Sequence, residues 1–155
     1  MTETIAARLA RLGVDLPQAA APAANYIPYA LTGSLLMTSG QLPVIGGKLL
    51  QSGLLGRDLD VERGREAARW CAINILAQAR SALGDLERIV RIVKITAFVA
   101  STPDFTEQHL VANGASDFLV EALAERGRHA RSAVGVPSLP LDAPVEIEAV
   151  IQVAE

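Results

Sequence analysis

Arg131, Glu146 and Glu148 are charged residues inside runs that otherwise read as strands. The first run is HARSAVGV, from His129, and the second is VEIEAVIQV, from Val145. The guanidinium of Arg131 is a planar fork that matches a carboxylate with two parallel charge-assisted bonds. Glu146 is of the type that accepts a proton or orients a water. Its spacing of two from Glu148 puts both carboxylates on one strand face, with Val145, Ile147 and Ala149 on the other. A Pro-rich turn joins the two runs and reads as a closing hairpin. Two readings stay open for Arg131: it clamps a ligand carboxylate, or it forms an internal ion pair with a glutamate of the paired strand.

Other chemistries find little material. One cysteine and two histidines, His109 and His129, do not form a zinc pattern, so no metal site is expected. Cys71 falls within a helical stretch and reads as a small buried side chain. GxGxxG, P-loop and GxSxG motifs are absent, and no cofactor is implied. Net charge is −3, with six aromatic residues and no cluster of Lys and Arg, which argues against a nucleic-acid binder. No apolar run reaches the roughly 18 residues of a membrane span, and the N-terminus lacks the pattern of a signal peptide. A cytoplasmic location is the expectation.

The elements follow from periodicity. Ile5, Leu9 and Leu12 mark a short amphipathic helix, and Gln18 to Asn25 is an Ala/Pro-rich connector, so residues 1–25 precede a single domain of residues 26–155. Two short runs around Thr32-Gly33-Ser34 predict a hairpin, with Pro28 placing its first strand at an edge. Gly46-Gly47 predicts another turn. Residues 60–83 carry a helical stripe of small residues, with Asp60 as cap and Gly84 as stop, and Trp70 reads as a packing anchor. Residues 89–101 alternate as a strand, Val93, Ile95, Ala97 and Val99 on one face and Lys94, Thr96 and Phe98 on the other. A second helix is expected from Thr102, the leading cap candidate with Pro103 after it (Asp104 being the second), interrupted at Gly114 and ended at Gly127. The fold class is α+β, a mixed sheet of five or six strands with two helices on one face. The apolar positions of the other face predict a homo-oligomer that covers it.

Three stretches together resemble the YjgF/RidA (reactive intermediate deaminase) family: NYIPYALTGSLLMTSGQLP, IVKITAFVASTPDF and HARSAVGVPSLPLDAPVEIEAVIQV. The resemblance implies a chorismate-mutase-like fold, a homotrimer with a central barrel-like core, and ligand sites in clefts between subunits. By position, Arg131 matches the arginine that holds the substrate carboxylate, and Glu146 the glutamate that handles the hydrolytic water. Tyr26 matches a cleft tyrosine, Ser39 and Gly40 the turn that contributes backbone contacts, and Asn113 a second-helix asparagine near the ligand. The sequence departs from the archetypes in having Ala133 where a cysteine is frequent, His129-Ala130 for Pro-Ala, an added N-terminal helix, and longer loops at 43–60 and 106–130. It looks like a longer branch of the family.

The activity so implied is hydrolytic deamination of enamines and imines, 2-imino acids giving 2-keto acids and ammonia, or a related hydrolysis of a small carboxylate. Positioning and one proton-transfer group suffice for a substrate already this reactive. The alternative is a non-catalytic trimer that binds a 2-keto acid. The family's endoribonuclease label ranks last on charge. The expected partners are a small carboxylate metabolite and other copies of the chain, with neither nucleic acid nor membrane.

Overall fold

The computed structural model describes residues 2–21 and 24–155, so Pro22 and Ala23 of the expected connector lie outside it. The elements run α1 (Ile5–Arg11), β1 (Tyr29–Thr32), β2 (Leu35–Thr38), β3 (Val44–Ile45), β4 (Lys48–Leu49), α2 (Val61–Leu83), β5 (Ile89–Ala100), α3 (Gln108–Leu123), β6 (Ala130–Val136) and β7 (Val145–Val153). Five strands form one sheet in the order β1-β2-β7-β5-β6, and β3 and β4 form a separate two-stranded ribbon. All pairings are antiparallel except β5 with β6, which is parallel. The fold is therefore a mixed α+β sheet with α2 and α3 against one face, as the sequence predicts. Pro28 stands just before β1, an edge strand, where a missing N–H costs no ladder bond.

Alternation builds the core. Along β7, Val145, Ile147, Ala149 and Ile151 are buried and the residues between them are not. They meet a face of α2 built from Ala67, Ala68, Cys71, Ala72, Ile75 and Ala79, small enough to bring the helix close to the sheet. Asp60 caps α2 by accepting from the Arg63 amide, at 2.9 Å, and Gly84 closes it. Ile5, Leu9 and Leu16 of the N-terminal segment join the same buried cluster, and Trp70 packs against it, half-buried.

Four expectations are corrected. First, β6 and β7 do not form a hairpin: β5 lies between them and pairs with both. The crossover that brings β6 alongside β5 is the α3 helix, and parallel strands require such a connection. Second, the face of β5 changes at a bulge. Pairing runs Ile92 to Ile151 and then Lys94 to Val150, so Val93 is skipped and Ile92, not Val93, joins the buried side. Third, α3 begins at Gln108, not Thr102. The Thr102 amide donates to the Leu55 carbonyl at 3.0 Å, which commits that backbone to the loop, and its buried hydroxyl has no partner among the described residues. Fourth, Gly114 does not interrupt the helix. It sits where α3 crosses α2, and a Cβ there would collide with the Arg65 backbone.

Gly114 thus sets the spacing between the two helices. Gly114→Ala is expected to destabilise the protein by about 1–3 kcal/mol, as overpacked contacts do, measured as a lower urea midpoint at unchanged m-value. An unchanged midpoint would mean the helices separate freely at this crossing.

Candidate functional site

The strand alternation that buries Ile147 turns Glu146 and Glu148 to the face of the sheet without helices. There Glu146 stands opposite Phe98, and Glu148 opposite Thr96. The turn after β2 is pinned beside Glu146: Gln41 N–H donates to the Ile147 carbonyl at 2.8 Å, and Ile147 N–H to the Gln41 carbonyl at 3.0 Å. This brings Gly40 under the carboxylate, and a Cβ on Gly40 would lie 2.7 Å from Glu146 Cδ. Only a glycine leaves Glu146 its place. The carboxylate forms no ion pair among the described residues. Loss of hydration, and then repulsion from Glu148, raise its pKa above the ordinary carboxylate value.

Ser39 ties the Tyr26 segment to the same corner, its N–H donating to the Pro28 carbonyl at 2.8 Å and its hydroxyl to the Ile27 carbonyl at 2.7 Å. Tyr26, Ser39 and Gly40 line one cavity of about 430 Å³, together with Gln41, Asn74 and Gln78. Four residues expected at the site, Tyr26, Ser39, Gly40 and Glu146, are therefore neighbours.

Arg131 is not among them. Its strand partner is Ile95, whose side chain is buried toward the helices, and Arg131 points the same way. One terminal N–H donates to Ser116 Oγ at 3.0 Å and another to the His109 carbonyl at 3.0 Å, both on α3. The internal ion pair with a glutamate is absent, because β5 separates β6 from β7 and the glutamates face the other side. Asn113 lies on the α3 face that carries His109 and Ser116, four residues after one and three before the other, so it accompanies Arg131, away from Gly40 and Glu146. Within one chain the expected site is split into two halves.

Ser116 is part of the Arg131 seat that the sequence did not suggest, since a serine within a helix carries no local signal for a partner fifteen residues away. His129 extends the seat. Its Nε2 lies 2.8 Å from Ser116 Oγ and its Nδ1 lies 2.6 Å from the Gly127 carbonyl. A neutral imidazole satisfies every contact, with Nδ1–H donating to the carbonyl, Ser116 O–H donating to Nε2, and Ser116 Oγ accepting from Arg131. Burial lowers the His129 pKa, the Gly127 carbonyl opposes this, and the Arg131 charge adds to it. Cys71 lies outside the chemistry: it is fully buried, and burial followed by the charge of Glu146 pushes its thiol well up. No group of three or more metal-binding side chains occurs among the described residues.

The sheet order, the crossover and the glycine-seated carboxylate define a domain of the chorismate-mutase-like class. The family described as "YjgF/chorismate_mutase-like, putative endoribonuclease" matches residues 6–151, and the chain belongs to it. Protein TCP17 of Trypanosoma cruzi is 51% identical over 151 residues, covering 96% of this chain and 93% of its own. The crystal structure of Atu1372 from Agrobacterium tumefaciens, a protein of unknown function, has a TM-score of 0.92 at 52% identity over 97% of this chain and 92% of its own. TdcF of E. coli, solved with bound serine, has a TM-score of 0.64 at 27% identity over 88% and 94%.

The charge state of Glu146 yields a stability prediction. Its folded pKa is raised, so the folded state holds the proton more tightly than the unfolded state. The penalty of carrying the charge is present above the folded pKa and disappears as pH falls through it. Glu146→Gln is therefore expected to raise the thermal midpoint at neutral pH, with the advantage shrinking as pH drops into the carboxylate range. A variant less stable than the parent at pH 7 would show that the charge is satisfied by contacts within the chain.

Proposed function

We propose that the chain forms a homotrimer whose intersubunit clefts hydrolyse 2-imino acids to 2-keto acids and ammonia. The observation that carries this reading is the separation of Arg131 from Glu146 on opposite faces of the sheet, each without an ion-pair partner among the described residues. Each half is complementary to what the other lacks, and a second copy supplies the missing one. The face that carries Glu146 also exposes Leu35, Met37 and Val134, apolar area that packing between copies would remove from water. The serine bound to TdcF supports a ligand that carries a carboxylate.

In this cleft Arg131 of one copy holds the carboxylate of the imino acid with the N–H groups that Ser116 and the His109 carbonyl do not use. The C=N carbon then faces Glu146 of the neighbouring copy. Glu146 takes a proton from water as the oxygen bonds to that carbon, and delivers it to nitrogen, giving a carbinolamine. The C–N bond breaks, the hydroxyl proton follows the departing ammonia, and a C=O bond remains. A carboxylate whose pKa is raised takes a proton from water more readily than an ordinary one. A net charge of −3 gives the nuclease description less support.

An amino-acid oxidase that generates imino acids in place, with semicarbazide trapping what remains, reads the activity. The parent is expected to accelerate imine loss, and Arg131→Ala and Glu146→Gln each to lower it by roughly 10²-fold or more. Co-expression of the two variants should restore activity, because random assortment in a ring leaves about a quarter of the clefts with both intact groups. No recovery would exclude a shared cleft. No acceleration over a panel of imino acids would leave 2-keto acid binding without catalysis as the better account.

Ser116→Ala is expected to raise KM more than it lowers kcat, because it loosens Arg131 without removing it. A matching fall in kcat at unchanged KM would contradict the clamp assigned to Arg131.

A further inference from the structure

The cavity behind Gly40 is neutral in charge and uneven in its hydrogen bonding. Asn74 and Gln78 stand one turn apart on α2 and both line it. Asn74 donates its two amide hydrogens to the carbonyls of Leu42, at 2.9 Å, and Val44, at 3.0 Å. Gln78, only 2% exposed, donates to the Ala20 carbonyl at 3.2 Å and to Gln41 Oε1 at 3.4 Å. Gln41 in turn donates to the carbonyls of Ser39 and Gly40 at 3.1 and 3.4 Å. These carbonyl partners determine which end of each amide is nitrogen, since a reversed amide would set oxygen against oxygen. The oxygens of Asn74 and Gln78 accept no hydrogen bond among the described residues. Both residues line the cavity, and neither oxygen is a fully buried atom without a partner, of which Thr102 Oγ1 is the one among the described residues.

We infer that this cavity receives a terminal carboxamide, so that the substrate is a small acid with a carboxylate at one end and a primary amide at the other. The carboxylate end rests on the function proposed above, and the amide end on this cavity. A primary amide has two N–H donors on one nitrogen, which answers two acceptor oxygens one helical turn apart. Its own carbonyl is an acceptor for the Tyr26 hydroxyl at the cavity wall, which has no partner among the described residues. A hydrocarbon side chain would strip both oxygens of water and return nothing. An ammonium would lose its hydration without a counter-charge, since no charged side chain lines the cavity among the described residues. Gly40 is common to the cavity wall and to the seat of Glu146, which places the cavity beside the carboxylate.

Titration calorimetry with glutaramate and 5-oxohexanoate isolates the amide. The two probes share chain length, carboxylate and carbonyl, and differ in NH₂ against CH₃. Glutaramate is expected to bind the parent roughly tenfold tighter or more, one to two hydrogen bonds that would otherwise be left unmade. In Gln78→Met the preference should collapse to about twofold or less, with thermal unfolding reporting that the variant is folded. If that variant does not fold, the two probes on the parent still decide the question. Equal affinities for the parent overturn the inference, and so does an absence of binding by both. Selective binding of glutaramate alongside a negative oxidase assay keeps the cavity assignment and removes the deaminase. A positive assay with no selectivity does the reverse.

Discussion

Strand β5 carries hydrogen bonds along both edges, antiparallel to β7 and parallel to β6. Because it occupies the position between them, two strands that are neighbours in sequence are not neighbours in the sheet. Arg131 and Glu146 are therefore held a full strand apart. The register adds a second separation, since Arg131 pairs with Ile95 on the helix side and Glu146 with Phe98 on the open side. The charged groups cannot neutralise one another within the chain.

The two charges are held in different ways. Arg131 is anchored by a serine and a backbone carbonyl, which orient the guanidinium without cancelling its charge. Keeping the anchor neutral matters: an imidazolium at His129 would bring a second positive charge beside the first and remove the acceptor for Ser116. Glu146 has no anchor of comparable strength. Its position is secured by a ladder bridge at Gln41 and by the missing side chain of Gly40, while half-burial and Glu148 work against its ionisation. A carboxylate kept this way stores free energy that a binding partner or a reacting proton releases.

Small residues determine how these parts approach. The alanine stripe of α2 lets the helix lie low on the sheet, and Gly114 lets α3 cross it closely. That crossing carries the His109 carbonyl and Ser116 to the height of Arg131. On the other flank of α2, Asn74 and Gln78 spend their amide hydrogens on the loop carbonyls of the connector and the turn after Gln41. One helix thus braces both the core and the cavity, and the polarity of the cavity follows from which amide atoms the bracing uses.

Much of the fold was legible in the sequence because local physics decides it. Alternation along Val145–Val153, the Asp60 cap, the Gly84 stop and the hairpin around Gly33 depend on residues a few positions apart, and they stand where they were expected. The start of α3 was not legible: Thr102 has the chemistry of a cap, but its N–H is taken by Leu55 from a distant loop. The bulge at Val93 was hidden for the same reason, since it exists only against β7. Residue type and spacing singled out Arg131 and Glu146, and the family resemblance added Tyr26, Ser39, Gly40 and Asn113. Which of them meet was a matter of strand order and face, and those are set by long-range pairing and by the crossover through α3, which no local pattern encodes.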